Sequence, residues 1–234
     1  MVALDKMTGE TIWASESLND GSSYVSPLLI EVKGKQQIVN LTEKYVFGVN
    51  PDDGKIVWKY NYGEAANPPA KYKIQINTPI YWNGSIYITN GYDQPSVLLD
   101  LSEDGTSVKQ RWVQNAMDTH HGGNVRIGSY IYGSDWENNS KGKWVCLDWN
   151  TGKIMYETQW INKGQIIAAD GMLYCYEEKS GNIALVKPTP EKFEVVSSFK
   201  VPLGGGVHWS HPVIHNGVLY IRHMDAFMAY NIKE

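Results

Sequence analysis

Apolar and polar positions alternate with a period of two residues along most of this chain, in short runs separated by Gly, Asn, Asp and Pro. Residues 44–58 (KYVFGVNPDDGKIVW) show the pattern most fully. The run YVFGV predicts a strand, and NPDDG predicts a turn because Pro presets φ, Asp bonds nearby backbone and Gly accepts a positive φ. The run IVW then begins a second strand, so the unit is a β-hairpin.

The hairpin recurs at a nearly constant interval. One series of turn glycines is spaced 45, 51 and 47 residues apart, at Gly9, Gly54, Gly105 and Gly152. A second series is spaced 50, 44, 43 and 46 residues apart, at Gly34, Gly84, Gly128, Gly171 and Gly217. Two interleaved series with one period predict repeats of four strands, here named A to D, joined A–B and C–D by tight turns. This is the sequence signature of propeller blades.

The fold class predicted is therefore an all-β propeller of four-stranded antiparallel blades, in a single segment over residues 1–234. Partial blades occupy 1–15 (strands C and D) and 209–234 (strands A to C), and whole blades occupy about 24–62, 76–114, 120–160 and 165–201. We interpret the chain as the C-terminal part of a seven- or eight-bladed propeller. The alternative is ring closure, with the N-terminal strands completing the last blade.

Composition excludes several function classes. Hydrophobic residues make up 42% and charged residues 20% of the chain, which is typical of a packed globular protein. The net charge is −4 and Lys and Arg do not cluster, which argues against nucleic acid as a partner. No apolar run reaches the roughly 20 residues of a transmembrane helix, and the N-terminus lacks a signal-peptide pattern.

The segments ALDKMTGETIW, GVNPDDGKIVW and CLDWNTGKIMY resemble the repeat of pyrroloquinoline-quinone (PQQ) enzymes, also called the tryptophan-docking motif. The resemblance covers nearly the whole chain. Quinoprotein alcohol dehydrogenases share this repeat, as do the scaffold lipoprotein of outer-membrane β-barrel assembly and many exported PQQ-like bacterial proteins of unassigned role. The sequence is most similar to that last group, which implies a periplasmic or otherwise exported location.

The resemblance leaves the cofactor open. Quinoprotein dehydrogenases commonly carry a disulfide between adjacent cysteines beside the quinone, whereas Cys146 and Cys175 lie far apart in sequence. PQQ with calcium is therefore not supported by adjacent cysteines, and the family's Glu/Asn/Asp calcium set matches no motif here. The two thiols are interpreted as small buried side chains, with a disulfide left as the alternative.

Candidate chemistry lies in the loops. The D–A and B–C loops share one face of a propeller, and in this sequence they are the longer and chemically richer ones. The ligand-binding candidates in these loops are His120, His121, Asp135, Trp136, His208, Trp209, His211, Arg222, His223 and Asp225. Arginine can pair an anion, tryptophan offers a stacking face, and histidine can move protons. The alternative is a purely structural role, in which these side chains satisfy backbone groups at the starts of strands.

Two function classes follow from the sequence. The first is a binding or scaffold module that takes a protein partner or a small polar or anionic ligand. The alternative is a PQQ-dependent alcohol or sugar dehydrogenase. No catalytic residue is assigned, and no metal site is predicted, because the histidines lack the spacing and cysteine support typical of zinc.

Overall fold

The structure is a computed structural model that describes residues 1–65 and 74–233. Its strands are β1 Val2–Leu4, β2 Thr11–Ala14, β3 Leu28–Val32, β4 Lys35–Leu41, β5 Tyr45–Val49, β6 Ile56–Asn61, β7 Ile80–Trp82, β8 Ser85–Ile88, β9 Ser96–Leu101, β10 Val108–Gln114, β11 Val125–Ile127, β12 Tyr130–Ser134, β13 Trp144–Asp148, β14 Ile154–Thr158, β15 Gly164–Ala169, β16 Met172–Glu177, β17 Asn182–Lys187, β18 Glu194–Lys200, β19 Val213–His215, β20 Val218–His223 and β21 Ala226–Asn231. One 3-10 turn, Tyr62–Glu64, follows β6.

The strands form antiparallel sheets in chain order. Four sheets have four strands each (β3–β6, β7–β10, β11–β14 and β15–β18), β1–β2 is two-stranded and β19–β21 three-stranded. The predicted all-β fold of four-stranded blades is confirmed. The ring-closure alternative is wrong in this structure, because β1 and β2 form a sheet of their own rather than joining β21. The sequence also predicts a longer polar link at 63–75, between the second and third repeats. Residues 66–73 of that link, including both prolines, lie outside the described residues.

No helix in the described ranges is both long and apolar enough to cross a bilayer.

Apolar alternation places a core between each of the four pairs of successive sheets from β3–β6 to β19–β21. In β8, Ile86 and Ile88 face the sheet β3–β6, and Tyr87 faces β11–β14. In the same way Ile131 and Tyr132 on β12 enter different core clusters. Because consecutive side chains on a strand point to opposite faces, a sheet covered on both sides becomes apolar at nearly every position. All four residues of β8 are therefore buried.

Tryptophans on the D strands dock onto the C–D turn of the next sheet. Trp13 Nε1 donates to Pro51 O at 2.7 Å, and Trp112 Nε1 donates to Trp149 O at 2.9 Å. A Cβ on Gly152, which has φ +70°, would lie 2.8 Å from Trp112 Cδ2. Glycine therefore serves two needs at Gly152, a left-handed backbone and close approach of an indole.

The repeat predicts that Trp13, Trp58, Trp112 and Tyr156 occupy equivalent outer-strand positions packed against a neighbouring blade. Each of them pairs with strand C next to a register shift, so the positions are equivalent, but their contacts differ. Trp58 covers Gly48 of its own sheet, and its Nε1 donates to Gln37 Oε1 at 2.8 Å. Gln37 Nε2 in turn donates to Gly105 O at 2.8 Å. Tyr156 lies edge-on to Phe193, with ring centroids 6.5 Å apart.

Replacement of the turn glycine tests the docking contact. Gly152→Ala should destabilise the protein by about 1–3 kcal/mol more than Gly171→Ala, because the added methyl group overpacks against Trp112. Gly171 is the matched control, since its φ of +71° imposes the same backbone strain while a Cβ there meets nothing within 4 Å. Urea unfolding measures both variants, and equal losses would contradict the docking role of Gly152.

Candidate functional site

A chain of aromatic rings links four loops at the end of the sheets where the B–C and D–A connections lie. Tyr92 and Trp136 are in B–C loops, and His120, His121 and Trp209 are in D–A loops. Successive ring centroids are 5.0 Å apart for Trp136 and Tyr92, 4.7 Å for Tyr92 and His120, 4.6 Å for His120 and His121, and 5.2 Å for His121 and Trp209. Edge-to-face and tilted pairs at these distances are mutually attractive. The chain therefore holds the loops in fixed relative positions.

Hydrogen bonds fasten the same loops. His120 Nε2 and Tyr92 Oη lie 2.8 Å apart. His211 Nε2 donates to the backbone carbonyl of His121 at 2.8 Å. His121 begins the fourth repeat and His211 the sixth, so the repeat order predicts that they approach across the channel mouth without touching. That prediction is wrong, because this bond joins them directly. Gly123 also lies beside His211, because a Cβ at Gly123 would be 3.1 Å from His211 Cε1.

A buried ion pair lies beneath the two histidines. Lys163 Nζ contacts Glu178 Oε1, and the side chains are only 3% and 5% exposed. Glu178 Oε2 lies 3.3 Å from His121 Nε2, outside the alignment of a hydrogen bond. Breaking a buried pair by removing one partner is strongly destabilising, since an uncompensated charge remains. The buried pair of Lys163 and Glu178 therefore stabilises the loops that form the site.

Burial keeps both imidazoles neutral at pH 7. Burial lowers the pKa of His120 to about 4, helped by the positive charge of Lys163. Burial lowers the pKa of His121 to about 3, with further contributions from His120, Lys163 and His211. Burial also lowers the pKa of Lys163 to about 8, against the negative charge of Asp135. His120 and His121 are therefore uncharged at pH 7, and neither supplies a positive charge for an anionic ligand.

Two buried carboxyl groups adjoin this cluster. Asp118 accepts backbone N–H bonds from Trp136 at 3.0 Å and Asp93 at 3.1 Å, which ties together the B–C loops of neighbouring sheets. Burial raises the pKa of Asp118 to about 7, and the neighbouring charge of Asp135 acts in the same direction. Burial raises the pKa of Asp135 to about 6. Clusters of perturbed pKa values are typical of functional sites, although structural networks produce them too.

His208 and His223 form a separate, buried pair. Their rings are stacked with centroids 3.6 Å apart. His208 Nδ1 lies 2.6 Å from Tyr176 Oη, and the two nitrogens of His223 lie 2.7 Å and 3.2 Å from the carbonyl oxygens of Leu203 and Gly206. These contacts fasten the glycine-rich loop at 201–212. Both rings are thereby engaged inside the protein.

Arg222 and His223 were predicted in a B–C loop, but both lie on β20. The connection from β20 to β21 is a two-residue turn, Met224-Asp225. Arg222 Nε donates to Met224 O at 2.8 Å, and both charged side chains of this hairpin, Arg222 and Asp225, are exposed. The loop there is shorter than predicted because the strand continues to the turn.

Two cavities flank Trp209. The inner pocket, about 450 Å³, is lined by Ile76, Asn77, Thr78, His121, Gly123, Asn124, Ile166, Trp209 and His211. The outer pocket, about 590 Å³, is lined by Val207, Trp209, Ser210, Arg222, Met224 and Asp225. The inner pocket gathers residues at the A strands of four successive sheets. Of the predicted residues, His121, Trp209 and His211 reach it, whereas Arg222 and Asp225 belong to the outer pocket.

Sequence reasoning missed several residues of the cluster. They are Asn77, Tyr92, Asp118, Lys163 and Glu178. All five lie in D–A or B–C connections, so the loop argument that selected the histidines would have included them. Nothing in the local sequence marks Lys163 and Glu178 as partners, since they meet only across β15 and β16.

In residues 1–65 and 74–233, no three His, Cys, Asp or Glu side chains are placed to hold one metal ion.

The repeated four-stranded sheets with their docked tryptophans define a β-propeller of the PQQ-like repeat class. The model of the family PQQ_2, described as outer membrane protein assembly factor BamB, matches residues 1–162, and the chain belongs to this family. A comparison with curated protein sequences finds no match.

Two solved structures show the same fold. BamB from Moraxella catarrhalis superposes with a TM-score of 0.52 at 14% identity, over 97% of this chain and 77% of that one. The quinohemoprotein alcohol dehydrogenase ADHIIG from Pseudomonas putida HK5 superposes with a TM-score of 0.61 at 13% identity, over 94% of this chain. The alignment spans 42% of the dehydrogenase chain. Similarity at this level of identity shows the fold alone.

Asp118 gives the cluster a testable pH dependence. Its folded-state pKa of about 7 lies above the ordinary 3.8, so the stability it contributes is complete below about pH 4 and is lost as pH rises toward 7. The lowered pKa values of His120 and His121 act in the opposite direction. Asp118→Asn should therefore make the free energy of unfolding rise more steeply from pH 5 to pH 7 than in the wild type.

Urea unfolding at both pH values measures this change, and any pH-independent loss of a hydrogen bond cancels in the comparison. Asp52→Asn, on an exposed turn, controls for net charge. An unchanged or shallower slope in Asp118→Asn would show that Asp118 ionises normally.

Proposed function

We propose that this chain acts as a binding module and that the inner pocket is its ligand site. The observation that carries the proposal is the meeting of residues from four successive sheets around one open cavity of about 450 Å³. Concave sites with a few convergent polar groups on a rigid scaffold are the usual form of ligand sites. The rigid sheets beneath the loops supply such a scaffold here.

The polar atoms of the inner pocket favour a hydroxyl- or amide-bearing ligand. His211 Nε2 carries the proton that it donates to His121 O, so Nδ1 is left as an acceptor. Asn124 accepts from Thr119 through Oδ1, and its Nδ2 has no bond to the described residues. A paired acceptor and donor suit a hydroxyl group or an amide. The exposed Trp209 indole adds an apolar face beside them.

Charge supports a neutral ligand over an anionic one at this pocket. The pKa values of His120 and His121 are lowered by burial, so neither ring is charged at pH 7. The nearby cation of Lys163 is already paired with Glu178. An anion entering the inner pocket would therefore find little compensating positive charge.

Membership of the family described as outer membrane protein assembly factor BamB favours a protein partner as a second candidate. In that case the polar ligand of the inner pocket would be part of a polypeptide, whose backbone amides present the same donors and acceptors. The same family description supports an exported, periplasmic location.

A quinone with calcium does not fit the described residues. Cys146 and Cys175 are unpaired and are buried between the sheets β11–β14 and β15–β18, away from both pockets. No three acidic, histidine or cysteine side chains of the described chain are assembled around one point. We therefore propose no dehydrogenase chemistry for this site.

Removal of the pocket's acceptor tests the binding proposal. Isothermal titration with maltose and with myo-inositol should show binding that His211→Ala weakens at least about tenfold, the effect of losing one good hydrogen bond to a ligand. His215→Ala is the matched control, because His215 is also exposed and is the last residue of β19, which begins two residues after His211. Equal affinities in the two variants, or heat only with sodium succinate, would contradict the proposal.

A direct assay separates binding from the quinone alternative. Addition of PQQ and calcium chloride should leave the quinone absorbance unshifted and give no reduction of an artificial electron acceptor with ethanol or glucose, because the donor set is not assembled. A stoichiometric shift of the quinone spectrum would overturn this reading.

A further inference from the structure

The outer pocket lies on the far side of Trp209 from the inner pocket and differs from it in chemistry. It is formed by the loop at 201–212 and the turn between β20 and β21, and it encloses about 590 Å³. A role for the outer pocket is separate from the function proposed above, because none of the hydrogen-bonding groups named for the inner pocket lines the outer one. The one shared residue is Trp209.

Three large apolar side chains form the walls of the outer pocket. Val207 is 40% exposed, Trp209 is 53% exposed and Met224 is 50% exposed. Isolated exposed apolar side chains are normal, but adjacent ones around a concavity indicate a binding surface. The Trp209 ring is held in place from behind by the edge contact with His121, so the wall is preorganised.

Two opposite charges line the same pocket without bonding to each other. Arg222 and Asp225 bracket the tight turn, and neither forms an ion pair with any residue in 1–65 or 74–233. The bond from Arg222 Nε to Met224 O fixes the guanidinium group, which leaves its terminal nitrogens for a ligand. Ser210 adds a hydroxyl group at the rim.

We infer that the outer pocket binds an apolar α-amino acid in its zwitterionic form. A planar guanidinium pairs a carboxylate through two parallel hydrogen bonds, and the Asp225 carboxylate accepts from an ammonium group. The apolar side chain of the amino acid then covers Val207, Trp209 and Met224. A simple anion would meet Asp225, a simple cation would meet Arg222, and an uncharged apolar body would leave both charges unused.

Isothermal titration with L-phenylalanine and three truncated analogues tests the inference. The analogues are 3-phenylpropanoate, which lacks the ammonium group, phenethylamine, which lacks the carboxylate, and N-acetyl-L-phenylalanine amide, which lacks both charges. L-Phenylalanine should bind at least about tenfold more tightly than each analogue, since a hydrogen bond to a charged group contributes at least that factor.

Two variants assign the charges. Arg222→Gln should abolish the preference for L-phenylalanine over phenethylamine, and Asp225→Asn should abolish the preference over 3-phenylpropanoate. Both side chains are exposed, so the melting temperature should not change. Lys6→Gln and Asp52→Asn are charge-matched controls on exposed turns of the opposite face, and they should bind L-phenylalanine as the wild type does.

Three results would overturn the inference. The first is absence of L-phenylalanine binding, and the second is equally tight binding of N-acetyl-L-phenylalanine amide. The third is self-association in analytical ultracentrifugation that Met224→Asp abolishes. That third result would assign the apolar wall to a second copy of the chain. His211→Ala should leave L-phenylalanine binding intact. If the wild-type protein binds L-phenylalanine but neither maltose nor myo-inositol, the inner-pocket proposal is contradicted and the inference about the outer pocket stands.

Discussion

The packing of one sheet on the next is the constraint on which the rest of this structure depends. Each inner sheet presents apolar side chains to both neighbours, so one strand supplies two separate cores, as Ile86 and Tyr87 do. The docked indoles of Trp13 and Trp112 add hydrogen bonds between sheets to this packing. Each of these cores belongs to one pair of successive sheets, so similar sheet-on-sheet interfaces repeat along the chain.

That packing leaves one end of every sheet to carry the loops with the richest chemistry. The loops there are long and polar, and they are held by ring contacts from Trp136 through Tyr92 to Trp209 and by the buried pair of Lys163 and Glu178. A buried ion pair contributes little net stability once desolvation is counted, whereas removal of one partner leaves an uncompensated buried charge. Here Glu178 Oε2 also lies 3.3 Å from His121 Nε2, and burial lowers the pKa of that imidazole to about 3.

The site divides chemically at Trp209. On one side, His211 and Asn124 offer an acceptor and a donor in a pocket without free charge. On the other, Arg222 and Asp225, which form no ion pair with the described residues, lie beside an apolar wall. The stacked pair of His208 and His223 lies between the glycine loop and β20 and uses its nitrogens within the protein. Histidines that look equivalent along the chain thus have different roles, because their surroundings differ in burial and in hydrogen-bond partners.

The sequence alone determined the strands, their grouping into repeats and the end of the sheets at which the candidate residues lie. These features follow from local rules, since side-chain alternation and turn glycines act within a few residues. The tertiary structure decided which loop residues share a pocket, that His211 bonds to His121, and that Lys163 pairs with Glu178. It also decided that His120 and His121 are neutral. These contacts and charge states depend on the distances between segments far apart in the chain and on the burial of their side chains. A repeat pattern does not encode them, because the loops differ from repeat to repeat while the strands stay the same.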